Sequence, residues 1–150
     1  MLSRFEHFSF VISSIYRYIR KIEHDEMIQH GYRGAFAQYL AALSKFEDGL
    51  TSAQICDICD KDKAAVSRII AEMEDKGLAE RESKNKYRSK IRLTEKGREL
   101  ADFVAKRAAV AVEAVSGELM TAEERELFSA TLETICKNLQ KVSAEGVPHE

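Results

Sequence analysis

Two runs of this sequence hold side chains with a chemistry of their own. Lys84, Lys86, Arg88, Lys90 and Arg92 recur at every second position, and no acidic residue interrupts them. Upstream, Lys63, Ala64, Ala65, Ser67 and Arg68 combine two cations, a hydroxyl and small side chains. Neither run is equipped to make or break covalent bonds. Both are equipped to meet a polyanion. Lysine and arginine neutralise phosphates, and small residues let a backbone approach closely. Arginine can also grip a guanine edge through two hydrogen bonds.

The elements that must hold these runs follow from local pattern. Asp62 suits a helix N-cap, because its carboxylate can accept from the free N–H groups of the first turn. Val66, Ile69, Ile70 and Met73 then fall at helical spacing and form an apolar face opposite Lys63, Ala64, Ala65, Ser67 and Arg68. Gly77 is placed to end that helix in the left-handed conformation. A short helix capped by Thr51 or Ser52 comes before it, with Ile55, Cys56, Ile58 and Cys59 facing inward and a turn over 59–62. Helix, tight turn, helix is the arrangement that enters a DNA major groove.

The alternating cations predict a hairpin whose turn falls within 83–89. In an unbroken strand, side chains two apart share a face, so the cations point one way and Tyr87, Ile91 and Leu93 the other. Lysines also guard edge strands against aggregation, so the pattern alone has two readings. Directly after a recognition helix, a wing that grips phosphate is the better one.

The flanks read as helices. Phe5, Phe8, Ile12, Ile15, Ile19 and Ile22 put a heptad-like apolar stripe on a helix over 3–30. A second helix over 35–46 carries Phe36, Tyr39, Leu40, Leu43 and Phe46. Thr94 caps a helix reaching about residue 118, and Thr121 with Glu124 forms a capping box for the last one. That last helix bears Phe128, Leu132, Ile135, Leu139 and Val142. The two terminal stripes can pack within one chain or between two. A dimer built from both ends of two chains is favoured, because neither stripe belongs to the helix-turn-helix.

The motifs taken together carry a resemblance. The order Val66-Ser67-Arg68, Gly77-Leu78, Arg81, then Arg92-Leu93-Thr94-Glu95-Lys96-Gly97 resembles the MarR family of winged-helix transcription regulators. Asp60 and Lys61 stand where that family usually has a glycine and an apolar residue, and Asn85 and Lys86 depart from its usual wing tip. The resemblance implies a mainly α fold with a small β-hairpin wing. It implies a winged helix-turn-helix over about 35–97, flanked by dimerisation helices over about 3–30 and 98–145, all in one domain. It also implies a homodimer and, in many members, a ligand cleft between the dimer helices and the winged unit.

Composition fits. The 150 residues are 45% hydrophobic, ordinary for a globular domain. The net charge is −2, but residues 61–98 hold twelve Lys/Arg against seven Asp/Glu, while the rest holds eleven against eighteen. A local basic patch, not the total, governs phosphate binding. The apolar run from Phe8 to Ile15 is followed by Arg17, Arg20 and Lys21, the wrong charge order for a signal peptide. No stretch reaches the roughly 20 apolar residues of a membrane span, so a cytoplasmic protein is expected.

Other constellations are weaker. Cys56 and Cys59 form a C-x-x-C, which can be a redox pair or half a zinc site; mid-helix and alone, it reads as packing. His24 and His30 lie six apart and do not share a helix face. No catalytic constellation, metal site or cofactor loop is recognisable, so an enzyme is not expected. Phe8, Tyr16, Phe36 and Tyr39 are candidates to line an effector pocket, or plain core, and Arg33 could pair with an anionic ligand or form a surface ion pair. The expected function is a sequence-specific, double-stranded-DNA-binding regulator. It would be a ligand-responsive repressor acting as a homodimer on a pseudo-palindromic operator. Lys63, Ala64, Ala65, Ser67 and Arg68 would face the major groove, and Lys84, Lys86, Arg88 and Lys90 would hold phosphates. The alternative is a helical protein–protein adaptor whose winged unit no longer reads DNA.

Overall fold

The structure, a computed structural model, describes residues 2–83, 89–117 and 119–147. In chain order its elements are α1 (Leu2–Gln29), α2 (Phe36–Ser44), α3 (Ser52–Cys59), α4 (Lys63–Asp75), β1 (Ala79–Arg81), β2 (Ile91–Leu93), α5 (Glu95–Ser116) and α6 (Ala122–Glu145). This is the expected mainly α chain with a small antiparallel hairpin.

Local signals placed most helix starts. Thr51 opens α3 with a capping box: its hydroxyl accepts from the Gln54 N–H, and Gln54 Oε1 accepts from the Thr51 N–H. Asp62 caps α4, its carboxylate accepting from the Ala65 N–H at 2.8 Å. The Thr94 hydroxyl accepts from the Gly97 N–H at the start of α5, and Thr121 pairs reciprocally with Glu124 at the start of α6. Gly77 ends α4 at φ 68°, and its N–H and that of Leu78 bond back to Glu74 and Met73.

The chain divides into two compact units, Met1–Val110 and Ala111–Glu150. The first has a core in which Phe36, Leu40, Ile55, Val66, Ile70 and Met73 are buried to within 1% of completely. Leu78 and Ile91 join it from the hairpin. The strands pair Ala79 with Leu93, Glu80 with Arg92 and Arg81 with Ile91. A third strand-like segment was not expected: Leu50 and Ile91 exchange backbone hydrogen bonds at 2.9 and 2.8 Å. This ties the α2–α3 connection to the wing.

The structure corrects one inward placement and one helix end. Ile58 is 49% exposed; with Ile55 buried and Cys56 and Cys59 half-buried, the core face of α3 is centred between those three and Ile58 falls beyond its edge. Phe46 lies beyond the end of α2 and is exposed, because the helix stops at Ser44.

The start of α5 meets the hairpin closely. A Cβ built on Gly97 would lie 1.9 Å from the Leu78 carbonyl oxygen, so only glycine fits there. Thr94 Oγ1 donates to the Gly77 carbonyl at 2.6 Å, and Lys96 Nζ to that of Lys76 at 2.8 Å. The last turn of α4, the hairpin and the first turn of α5 are thus bonded into one block.

The terminal helices lack such cover. Among the described side chains of α1 only Met27 is fully buried, whereas Phe8, Phe10, Ile12, Ile15, Tyr16 and Tyr18 are exposed. In the second unit no residue of α6 is buried; Leu132, Ile135 and Val142 are half-exposed, and Phe128 and Leu139 are exposed. No described helix is long and apolar enough to cross a membrane.

Candidate nucleic-acid interface

The polar face of α4 is presented to solvent as its pattern requires. Lys63, Ala64, Ser67 and Arg68 are exposed and Ala65 is half-buried, while Val66, Ile69, Ile70 and Met73 anchor the helix in the core. The helix is held at its N-terminus by Asp62. The Ala65 N–H keeps that carboxyl below the usual carboxylate range, with smaller help from the Ala64 N–H and the Arg68 charge. Among the described residues Arg68 makes no ion pair.

The turn into α4 uses Asp60 where a glycine would be easiest. Asp60 sits at φ 50°, the only described non-glycine with positive φ. The Lys61 N–H bonds back to Cys56 at 3.0 Å, closing α3. The turn geometry is therefore kept, with backbone strain at Asp60.

The wing is described at its base. Beyond the strands, the Glu82 N–H donates to the Lys90 carbonyl at 3.0 Å, and the Ser83 N–H to Ser89 Oγ at 3.1 Å. Ser89, only 6% exposed, returns a hydrogen bond to the Ser83 carbonyl. The turn expected within 83–89 falls mostly on residues outside those described. Lys84, Lys86 and Arg88 lie outside the described residues. Ile91 and Leu93 are buried and Arg92 exposed, as alternation demands; Lys90 is half-buried. Arg92 is committed elsewhere: its Nε donates to Glu80 Oε1 at 2.8 Å, directly across the ladder. Arg81 is likewise paired with Glu74 of α4 at 2.9 Å.

Beside α4 lies a cavity of about 330 Å³, lined by Arg33, Gln38, Tyr39, Lys61, Arg68 and Glu72 with Ala35, Ala65 and Ile69. Of the residues proposed for an effector pocket, this brings Arg33 and Tyr39 together. Phe36 is fully buried in the core, and Phe8 and Tyr16 are exposed on α1. Burial pushes the Tyr39 hydroxyl above its ordinary pKa, and does the same to the Cys59 thiol nearby. The amide oxygen of Gln38 accepts from Arg20 at 3.0 Å, while its nitrogen is buried with no acceptor among the described residues.

Sequence reading missed Lys61, Gln38 and Glu72 as neighbours of this site. Glu72 had a signal: it is four residues after Arg68 and shares its helix face. Its partner Arg33, 39 residues away and bonded at 2.6 Å, had none. Cys56 and Cys59 pack against the core, and no cluster of three metal-binding side chains occurs among the described residues.

Residues 30–87 match the family model of the MarR family. A search of curated proteins finds no match. Solved structures match the fold along most of their length. A MarR transcriptional regulator from Methanosarcina mazei Go1 is 23% identical, with 91% of this chain and 92% of that one covered at a TM-score of 0.77. A MarR-type regulator from Listeria monocytogenes, complexed with a 26mer DNA, is 21% identical, with 93% and 95% covered at 0.69. CouR from Rhodococcus jostii RHA1, bound to p-coumaroyl-CoA, is 17% identical, with 95% of each covered at 0.66. Residues 30–87 of this chain thus resemble the MarR family, and the chain's fold is that of these winged-helix structures.

Proposed function

We propose that this protein is a sequence-specific DNA-binding regulator of transcription, acting as a homodimer and repressing its target. The observation that carries the reading is the exposed face of α4. Lys63, Ala64, Ser67 and Arg68 stand clear of the core on a helix whose opposite face is fully anchored. In this reading residues 35–97 form the DNA-reading unit, with Ala65 completing the groove-facing surface. Arg68 reads a base, Ser67 holds a phosphate, and the wing cations Lys84, Lys86, Arg88 and Lys90 hold the backbone. The DNA complex of the Listeria relative supports this use of the fold. A cytoplasmic location goes with it.

Helices over 3–30 and 98–145 form the dimer contact. The exposed aromatic and aliphatic side chains of α1 and α6 support it, since such faces cost solubility unless covered. A two-fold dimer offers two recognition helices to half-sites about one helical turn apart. The cavity beside α4 suits a small anionic effector, with Arg33 and Lys61 as its cations; CouR's bound ligand is an instance of a small molecule on this fold. An effector that favours another spacing of the recognition helices weakens binding by population shift.

Two measurements test the reading. Random duplex at low salt should bind and release as salt rises, and selection should then enrich a pseudo-palindrome. A chain that binds no duplex would instead fit the adaptor alternative. Replacing Leu132 and Leu139 by Asp should give monomers or aggregates in sedimentation. Neither residue is buried in the single chain, so the monomer's own fold is spared and the readout is association. A fully dimeric, DNA-competent double variant rejects these helices as the contact.

A further inference from the structure

Glu72 is the one acid in the lining of the cavity beside α4, and its position is awkward for a DNA-reading surface. It lies one turn beyond Arg68, on the same side of the helix. A free carboxylate there would do two things. It would draw the Arg68 guanidinium back along the helix, away from a base edge. It would also repel approaching phosphates. Arg33, in the α1–α2 connection, prevents both. Its Nη1 donates to Glu72 Oε1 at 2.6 Å, and the two side chains are 56% and 41% exposed. Arg33 and Arg68 flank the same cavity, so the carboxylate has a choice of cation, and the structure gives it to Arg33.

We infer that Arg33 is a positioning residue for DNA recognition: by holding Glu72 it leaves Arg68 free to reach DNA. This rests on the DNA-binding reading above. Arg33 itself touches no base and need touch no phosphate. The pair spans 39 residues, joining the α1–α2 connection to the reading helix. Any event that recruits Arg33, an anion in the cavity included, therefore releases Glu72 onto Arg68 and lowers affinity.

A double-variant cycle tests it, using full-length protein and a selected duplex across a salt series. Exposed ion pairs contribute modestly, so Arg33→Ala should weaken specific binding by about three- to tenfold for a dimer on two half-sites. In the Glu72→Gln background the same change should cost less than about twofold. Arg33→Lys, which can keep the pair, should stay within about twofold of the parent. The slope of binding against salt should hardly move in either Arg33 variant, because every phosphate keeps its cation. An equal loss in both backgrounds, with a slope lower by about two per dimer, makes Arg33 a direct phosphate contact and overturns the inference. So does an Arg33→Ala variant that binds like the parent. A parent chain that binds no duplex overturns the DNA reading itself, an outcome distinct from these two.

Discussion

Arg68 and Arg92 are both exposed arginines on the same winged unit, yet of the two only Arg92 is ion-paired among the described residues. Arg68 makes no ion pair among the described residues, and its charge is a minor contributor to the Asp62 cap. Replacing it by Ala should therefore change folding stability by less than about 0.5 kcal/mol. If it reads a base, the loss appears in binding instead, at about 1–3 kcal/mol per half-site. For a dimer on two half-sites that is about 2–6 kcal/mol, or roughly thirtyfold to twenty-thousandfold in affinity. Arg92 is bonded to Glu80 across the ladder, with both side chains about half exposed (49% and 50%). Arg92→Ala should take about 0.2–1 kcal/mol from stability and leave DNA binding within about twofold. Replacing Lys86 or Arg88 by Ala should instead weaken all sequences alike. The salt slope should fall by about one for each phosphate that is no longer neutralised, so about two per dimer. The assay is binding of specific and scrambled duplexes across a salt series, with denaturant unfolding alongside. An Arg68→Ala variant that loses specific and scrambled binding equally would make Arg68 a phosphate contact. Arg92→Ala matching the Lys86 result would refute the assignment of Arg92 to Glu80.

Three further outcomes are expected. Gly97→Ala gains about 1 kcal/mol of helix propensity but sets a methyl 1.9 Å from the Leu78 oxygen; α5 must move, and denaturant unfolding should show a net loss of about 1–3 kcal/mol. Asp60→Gly should raise stability by about 0.5–1 kcal/mol, since relief of the left-handed strain exceeds the added freedom of the unfolded chain, whereas Asp60→Val should lower it; a Gly variant less stable than the parent would mean the turn is not strained. The raised Cys59 thiol holds little thiolate near neutral pH and should alkylate more slowly than a free thiol peptide, and the double Ala variant at Cys56 and Cys59 should bind DNA like the parent. Loss of a peroxide-driven release from DNA in that double variant would overturn the packing role.

What the amino-acid sequence determined by itself is what local physics controls. Thr51, Asp62, Thr94 and Thr121 mark helix starts because a cap bonds only two or three residues ahead. Gly77 marks a helix end because left-handed backbone is cheap for glycine alone. The face of α4 was legible because helical period assigns Val66, Ile69, Ile70 and Met73 to one side and Arg68 to the other. Short or mixed patterns were less informative: on eight-residue α3 the period could not say which way Ile58 pointed. Tertiary structure alone decided the pairings between distant residues. Charge counting saw Arg92 as one more cation in a basic run, and only the register opposite Glu80 committed it to an ion pair. The Leu50–Ile91 bridge, the fit of Gly97 against Leu78 and the Arg33–Glu72 contact join residues 19 to 41 apart. No local pattern encodes such contacts, because they exist only once the core has brought their backbones together.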